Sequence, residues 1–167
     1  MTLSDKVKLR DALEDDLPKI LEIYNDAILN LTATFDVEPK SLEERRIWFQ
    51  NHGGKFPLIS AEIDGRVVGY CSISPFSQKR GYSPTVELSI YVHKDFRRRG
   101  IGILLMNEVI SRARELGYHA IISIIAGNNE PSVEMHKKLG FEQVAHLRQV
   151  GYKFSKWQDV DYYELLL

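Results

Sequence analysis

The stretch Val86-Glu87-Leu88-Ser89-Ile90-Tyr91-Val92, then Arg97-Arg98-Arg99-Gly100-Ile101-Gly102, then the run Ile103 to Leu116 decides how this chain is read. Apolar residues alternate through the first segment, which predicts a strand with Val86, Leu88, Ile90 and Val92 on one face. The last segment is an amphipathic helix ending at Gly117, with Val109, Ile110, Ala113 and Leu116 inward and Asn107, Glu108, Arg112 and Glu115 toward water. Between them, glycines let the backbone approach phosphate oxygens, the first helical N–H groups lack intrahelical acceptors, and the helix dipole and arginines favour negative charge. The turn is therefore a candidate pyrophosphate cradle, although a solvated charge run ahead of a helix has the same composition. It lacks the Gly-Lys-Ser/Thr ending of a P-loop and the third glycine of a dinucleotide fingerprint. Its spacing is Arg-x-x-Gly-x-Gly.

Downstream, Ala120 to Ala126 is short and almost continuously apolar, as expected of a strand covered on both faces. Strand, helix, strand predicts a right-handed parallel unit. A short helix over Pro131 to Leu139 and two strands, near Phe141 to Tyr152 and Trp157 to Leu166, close the chain. Upstream, Lys6 to Arg10 reads as a first strand. A helix follows, opened by acidic residues and Pro18, with Leu17, Ile20, Leu21, Tyr24, Ile28 and Leu31 at helical spacing. Turn-rich Thr32 to Pro39 leads to a second helix over Ser41 to Asn51, with Glu43 and Glu44 in its first turn and Leu42, Ile47 and Trp48 expected in the core. Pro57 to Ile63 and Arg66 to Ser74 flank Asp64-Gly65, a hairpin signal. A polar connection, Ser77 to Pro84, precedes the Val86 strand.

The 167 residues suit one domain, 1–167, with an ordinary hydrophobic content of 44%. With 22 basic and 23 acidic residues spread along the chain, no broad footprint for nucleic acid or an anionic membrane is visible, and a small ligand is expected. The apolar runs are shorter than a membrane span, and the N-terminus is charged from Asp5 onward without a signal-peptide core, so a cytoplasmic protein is expected. Cys71 has no intrachain partner and reads as a buried small hydrophobe. No Cys/His cluster has zinc spacing, and no metal is expected.

Two groups are placed for chemistry. Glu87 shares the second strand face with Ser89 and Tyr91, just upstream of the cradle. It could accept a proton, directly or through water, from an amine that must be neutral to attack an acyl carbon; an exposed or salt-bridged glutamate is the plainer reading. Asn129, Ser132 and His136 fall on one side of the short helix, and His136 titrates near neutrality.

Together these residues resemble the GNAT-superfamily N-acetyltransferases over nearly the whole chain. The element order and the position of Arg-x-x-Gly-x-Gly both match. The phosphinothricin and methionine sulfoximine acetyltransferase branch is especially similar, through Thr32-Ala33-Thr34-Phe35, the Thr85 to Val92 strand, the Asn129 to Phe141 block, and Gly151-Tyr152-Lys153-Phe154 followed by Trp157 and Asp159. The resemblance implies an α/β fold whose central, mostly antiparallel sheet holds one parallel βαβ unit flanked by helices. It implies direct transfer of acetyl from acetyl-CoA to the amine of a small amino-acid-like substrate, with Glu87 as general base. His136 stands where many superfamily members carry a tyrosine, as acid or as holder of a water. The backbone of Ile90, Tyr91 and Val92 would pair with pantetheine and polarise the thioester. Arg98, Arg99, Gly100, Ile101, Gly102 and Ile103 would take the pyrophosphate, and Asn129 and Ser132 the pantetheine arm. Lys79 and Arg80 would meet a substrate carboxylate or phosphinate, with Phe35, Tyr82 and Tyr152 walling the pocket. Where relatives often carry arginine after the aromatic matching Phe76, this chain has Ser77. A homodimer is implied.

The same residues leave room for an N-acetyltransferase of peptide or protein N-termini, and for a non-catalytic acyl-CoA-binding regulator, which would need the cradle but neither Glu87 nor His136. A nucleic-acid role has only Arg97 to Arg99 behind it.

Overall fold

The computed structural model describes residues 6–167; Asp5, where the charged N-terminal stretch begins, lies outside them. The elements run β1 (Lys8–Asp11), α1 (Leu17–Asn30), α2 (Leu42–Gln50), β2 (Leu58–Ile63), β3 (Arg66–Pro75), β4 (Thr85–Val92), α3 (Ile101–Glu115), β5 (Ala120–Ala126), α4 (Glu130–Lys138), β6 (Glu142–Lys153) and β7 (Lys156–Leu166). One seven-stranded sheet has the order β1-β2-β3-β4-β5-β7-β6. Among the described residues β4 and β5 are its only parallel neighbours, so the expected mixed sheet with one βαβ unit is present.

Local chemistry explains the boundaries. Pro18 lies in the first turn of α1, where no N–H is needed. In α2, Ser41 and Glu44 exchange bonds in a capping box. Asp64 and Gly65 both take positive φ, 49° and 77°, as a two-residue hairpin turn requires. Helix α3 begins at Ile101, two residues before the expected Ile103, because Gly100 at φ 80° serves as its N-cap.

One face of the sheet packs on α3 through Ile73, Val86, Leu105, Met106, Val109 and Ile121. The other carries α1 and α2 over Ile20, Ile23, Val67 and Tyr70. Three expectations are corrected. The first strand spans Lys8–Asp11 rather than Lys6 to Arg10. Helix α2 turns Leu42 and Ile47 outward, at 39% and 55% exposure, and buries Arg45 instead, because the surface beneath it is aromatic and can hold a guanidinium. Leu116 is exposed, beyond the last turn of α3, whose core stripe is Ile101, Leu105, Met106, Val109, Ile110 and Ala113.

The pairing of β4 with β5 stops early. Thr85, Val86 and Glu87 face Ala120, Ile121 and Ile122, yet β4 continues to Val92 and β5 to Ala126. Each follows its other neighbour instead: β4 stays on β3 as far as Gly69↔Val92, and β5 on β7 as far as Ala126↔Val160. The strands splay, and their facing backbone groups beyond Glu87 are left unpaired to one another.

Candidate active site

The splay opens a cleft of about 310 Å³ whose walls include Phe35, Glu87, Ile90, Tyr91, Asn129, Ser132 and His136. Residues separated by a hundred positions in sequence thus meet at one gap. Ile90, Asn129 and Ser132 also border an adjoining groove of about 750 Å³, lined further by Val92, Arg98, Gly100, Ile101, Gly102 and Ile103.

Glu87 projects on the α1/α2 face, cross-strand from Ser74. Burial raises its carboxyl above the usual 4.5, and no described side chain pairs with it to reverse that. A half-buried carboxylate held in this way is a stronger base than an exposed one. The salt-bridged and surface readings of this residue therefore do not apply.

His136 is 2% exposed, enclosed by Phe141, whose ring centroid is 5.0 Å away, and Tyr163. Its Nδ1 lies 2.7 Å from the carbonyl oxygen of Ser132 one turn earlier. Burial lowers its pKa below the usual 6.5, partly offset by that bond. Nε2 is buried with no partner, as is the hydroxyl of Ser123 on β5 in the same cleft. Buried orphan polar atoms in a cleft mark places where a bound molecule or water supplies the missing bond. Sequence reading did not single out Ser123; its signal is a lone hydroxyl in the run Ala120 to Ala126.

The groove suits a pyrophosphate. Arg98 at φ 59° and Gly100 at φ 80° turn the backbone sharply ahead of α3, and both line the groove with the helix N-terminus. Gly102 is needed for packing as well: a β-carbon there would stand 2.6 Å from Met135 Sδ of α4. Arg97 is already engaged, donating to Asp26 at 2.9 Å and to the Val92 carbonyl at 3.0 Å. Arg99 is exposed, its guanidinium 5.7 Å from the Phe96 ring, and does not line the groove. At the N-cap of α4, Asn129 accepts from Ser132 N.

The substrate-side residues divide. Phe35 lines the cleft and packs on Gly151 of β6, where a β-carbon would stand 2.5 Å from the ring. Buried Lys153 donates to the carbonyls of Leu31 and Thr34 at 2.6 and 2.8 Å, tying the segment after α1 to the β6–β7 hairpin. Lys79, Arg80 and Tyr82 lie on the exposed connection between β3 and β4, with Tyr82 edge-on to Phe76 at 5.6 Å, and do not line the cleft. Tyr152 is exposed beside Trp157. Cys71 is fully buried, and burial raises its thiol pKa strongly, as its reading required. Among the described residues no helix is long and apolar enough to cross a membrane, and no group of three or more His, Cys, Asp or Glu is placed to hold a metal.

Comparison with known proteins points one way. Residues 18–141 match the model of the acetyltransferase (GNAT) family. The L-methionine sulfoximine/L-methionine sulfone acetyltransferase of Pseudomonas aeruginosa is 39% identical over 95% of this chain and 94% of its own. The structure of a phosphinothricin acetyltransferase from Sinorhizobium meliloti in complex with acetyl-CoA superposes with a TM-score of 0.93 at 34% identity, covering 97% of this chain and 89% of that one. A ribosomal-protein-alanine N-acetyltransferase structure from Brucella melitensis gives 0.94 at 40% identity, over 96% and 99%.

Proposed function

Because this chain belongs to the acetyltransferase (GNAT) family, we propose that it transfers the acetyl group of acetyl-CoA directly to the amine of a small amino-acid-like substrate. The substrate is of the methionine sulfoximine, methionine sulfone or phosphinothricin type, and acetylation detoxifies it, conferring resistance. The observation that carries this reading is the meeting of Glu87 and His136 at the gap where β4 and β5 part.

Glu87 takes a proton from the substrate ammonium, directly or through water, and the neutral nitrogen attacks the thioester carbon. The C–N bond forms and the C–S bond breaks. Those backbone groups along Ile90, Tyr91 and Val92 that face the gap bind pantetheine and polarise the thioester carbonyl. Arg98, Gly100, Ile101, Gly102 and Ile103 hold the pyrophosphate, with Arg99 outside the groove, and Asn129 and Ser132 hold the pantetheine arm. In its neutral form His136 offers a lone pair at Nε2, which holds a water or accepts a proton. It gives a proton to the departing thiolate only after taking one.

Phe35 walls the substrate, while Lys79, Arg80 and Tyr82, which lie outside the cleft, are assigned no contact with it. The chain acts as a single domain, in the cytoplasm, without nucleic-acid or membrane partners and without a metal; its formal net charge of −1 supports a small-molecule role. Exposed Val144, Leu147, Val150 and Trp157 on the β6–β7 hairpin support a homodimer.

A thiol-release assay with acetyl-CoA and the three named compounds tests the reading. Turnover of at least one is expected, and none with any rejects it. Peptides with free N-termini, read by mass shift, separate it from protein acetylation: modified peptides beside untouched small amino acids would overturn it.

A further inference from the structure

On the α1/α2 face of the sheet a second pocket, of about 300 Å³, borders the cleft and shares Tyr24, Ser89 and Tyr91 with it. Its floor carries the hydroxyls of Ser72, Ser74 and Ser89, on the same face as Glu87, and Arg45 lies in its wall.

Arg45 is only 6% exposed. Its Cζ sits 3.5 Å from the Trp48 ring centroid and 4.3 Å from that of Tyr24, and Nη2 donates to the Tyr70 hydroxyl at 2.7 Å. Among the described residues no carboxylate lies within ion-pair distance, and Nε is buried with no partner. The pocket's two acids are engaged elsewhere: Asp36 with Lys40 and the Tyr24 hydroxyl, and Glu44 in the α2 capping box. A buried guanidinium without a counter-charge, one of its N–H groups unpartnered, is costly, and proteins nearly always supply a partner. Here a bound molecule has room to do so.

The spacing says which part of it. Ser74 is level with Glu87 and Tyr70 with Tyr91, so the pocket's two ends are about 13 Å apart at strand rise. In a γ-substituted amino acid four bonds separate the amine nitrogen from sulfur or phosphorus, roughly 5 Å when extended. With hydrogen bonds at both ends, an amine beside Glu87 leaves the side-chain head facing Arg45, whereas the α-carboxylate stays near the amine. Arginine's planar fork suits two oxygens on one centre.

We propose that Arg45 is a specificity-determining residue that binds the oxygen-bearing head group, sulfone, sulfoximine or phosphinate, at the far end of the substrate side chain. This rests on the amino-acid acetylation proposed above.

L-Methionine sulfone and L-methionine share amine and carboxylate and differ only in the two oxygens, so their kcat/KM ratio isolates the head. The wild type should favour the sulfone by about thirtyfold, and Arg45→Gln should collapse that ratio toward one by losing activity on the sulfone, with methionine falling far less. Parallel losses on both substrates would overturn the assignment, as would a wild type indifferent to the oxygens; either leaves acetylation standing. A wild type inactive on every amino acid removes the acetylation reading and the subsite with it. Should Arg45→Gln not fold, the Trp157→Phe protein decides, since Trp48 is then its sole tryptophan. Its emission should change saturably with methionine sulfone at concentrations where methionine has no effect, and silence to both overturns the proposal.

Discussion

The imidazole of His136 donates from Nδ1 to the carbonyl oxygen of Ser132 across 2.7 Å. A carbonyl can only accept, so this bond puts the proton on Nδ1 and the lone pair on Nε2. With burial holding the ring neutral, both His136 and Glu87 are proton acceptors, and both fail when protonated. Burial raises the Glu87 carboxyl and lowers the His136 imidazolium from their ordinary values, so kcat/KM should fall on the acid side as each group takes up a proton. The substrate amine adds a second limb at its own pKa. A rate profile with two amines of different basicity separates them: only the upper limb should move. An acid limb centred above 6.5 that persists in Glu87→Gln would contradict the neutral His136.

Glu87→Gln should lower turnover by about a hundredfold with little change in acetyl-CoA affinity by calorimetry, because the side chain lies outside the groove. Stability should move the other way. Folding raises the Glu87 pKa, so its favourable contribution is complete below 4.5 and is lost as pH rises through the folded value. The variant should melt above the wild type at pH 7.5, and the difference should vanish below pH 4.5. Equal melting temperatures at pH 7.5 would mean the carboxylate finds compensation in solution.

Gly102→Ala drives a β-carbon into the Met135 side chain, which has to swing aside. Overpacking of this kind costs about 1–3 kcal/mol. Because both residues line the groove, the KM for acetyl-CoA should rise as well. Adding Met135→Ala should restore most of both losses, as non-additive couplings do. Simple additivity in thermal melts would show that the two do not compete for space.

Lys153→Met keeps the stem and removes the donors that reach Ala27, Leu31 and Thr34. We expect a loss of about 2–4 kcal/mol in denaturant titrations, typical of losing charged hydrogen bonds. Hydrogen exchange should quicken over 31–36, and the amine KM should rise because Phe35 belongs to that segment. Unchanged exchange there would free the lysine from any part in shaping the cleft.

Much of this was written in local pattern. Period-two alternation placed Glu87, Ser89 and Tyr91 opposite the α3 core, helical spacing brought Asn129, Ser132 and His136 to one side of α4, and the apolar run Ala120 to Ala126 matched β5 to the residue. Gly100 and Gly102 marked the strand-to-helix turn because few other residues allow that backbone path or that closeness. Each of these signals depends on neighbours within a few positions.

What tertiary structure alone decided depends on partners far away in sequence. The gap begins after Glu87 because β3 holds β4 and β7 holds β5, a competition between strands that no single strand encodes. Amphipathicity could not say that α2 buries Arg45 and exposes Ile47, since the cage of Tyr24, Trp48 and Tyr70 forms only when α1, α2 and β3 meet. His136 became a buried acceptor because Phe141 and Tyr163 close over it. Backbone preference is local, but desolvation and charge pairing are properties of the assembled chain, and they set what these side chains can do.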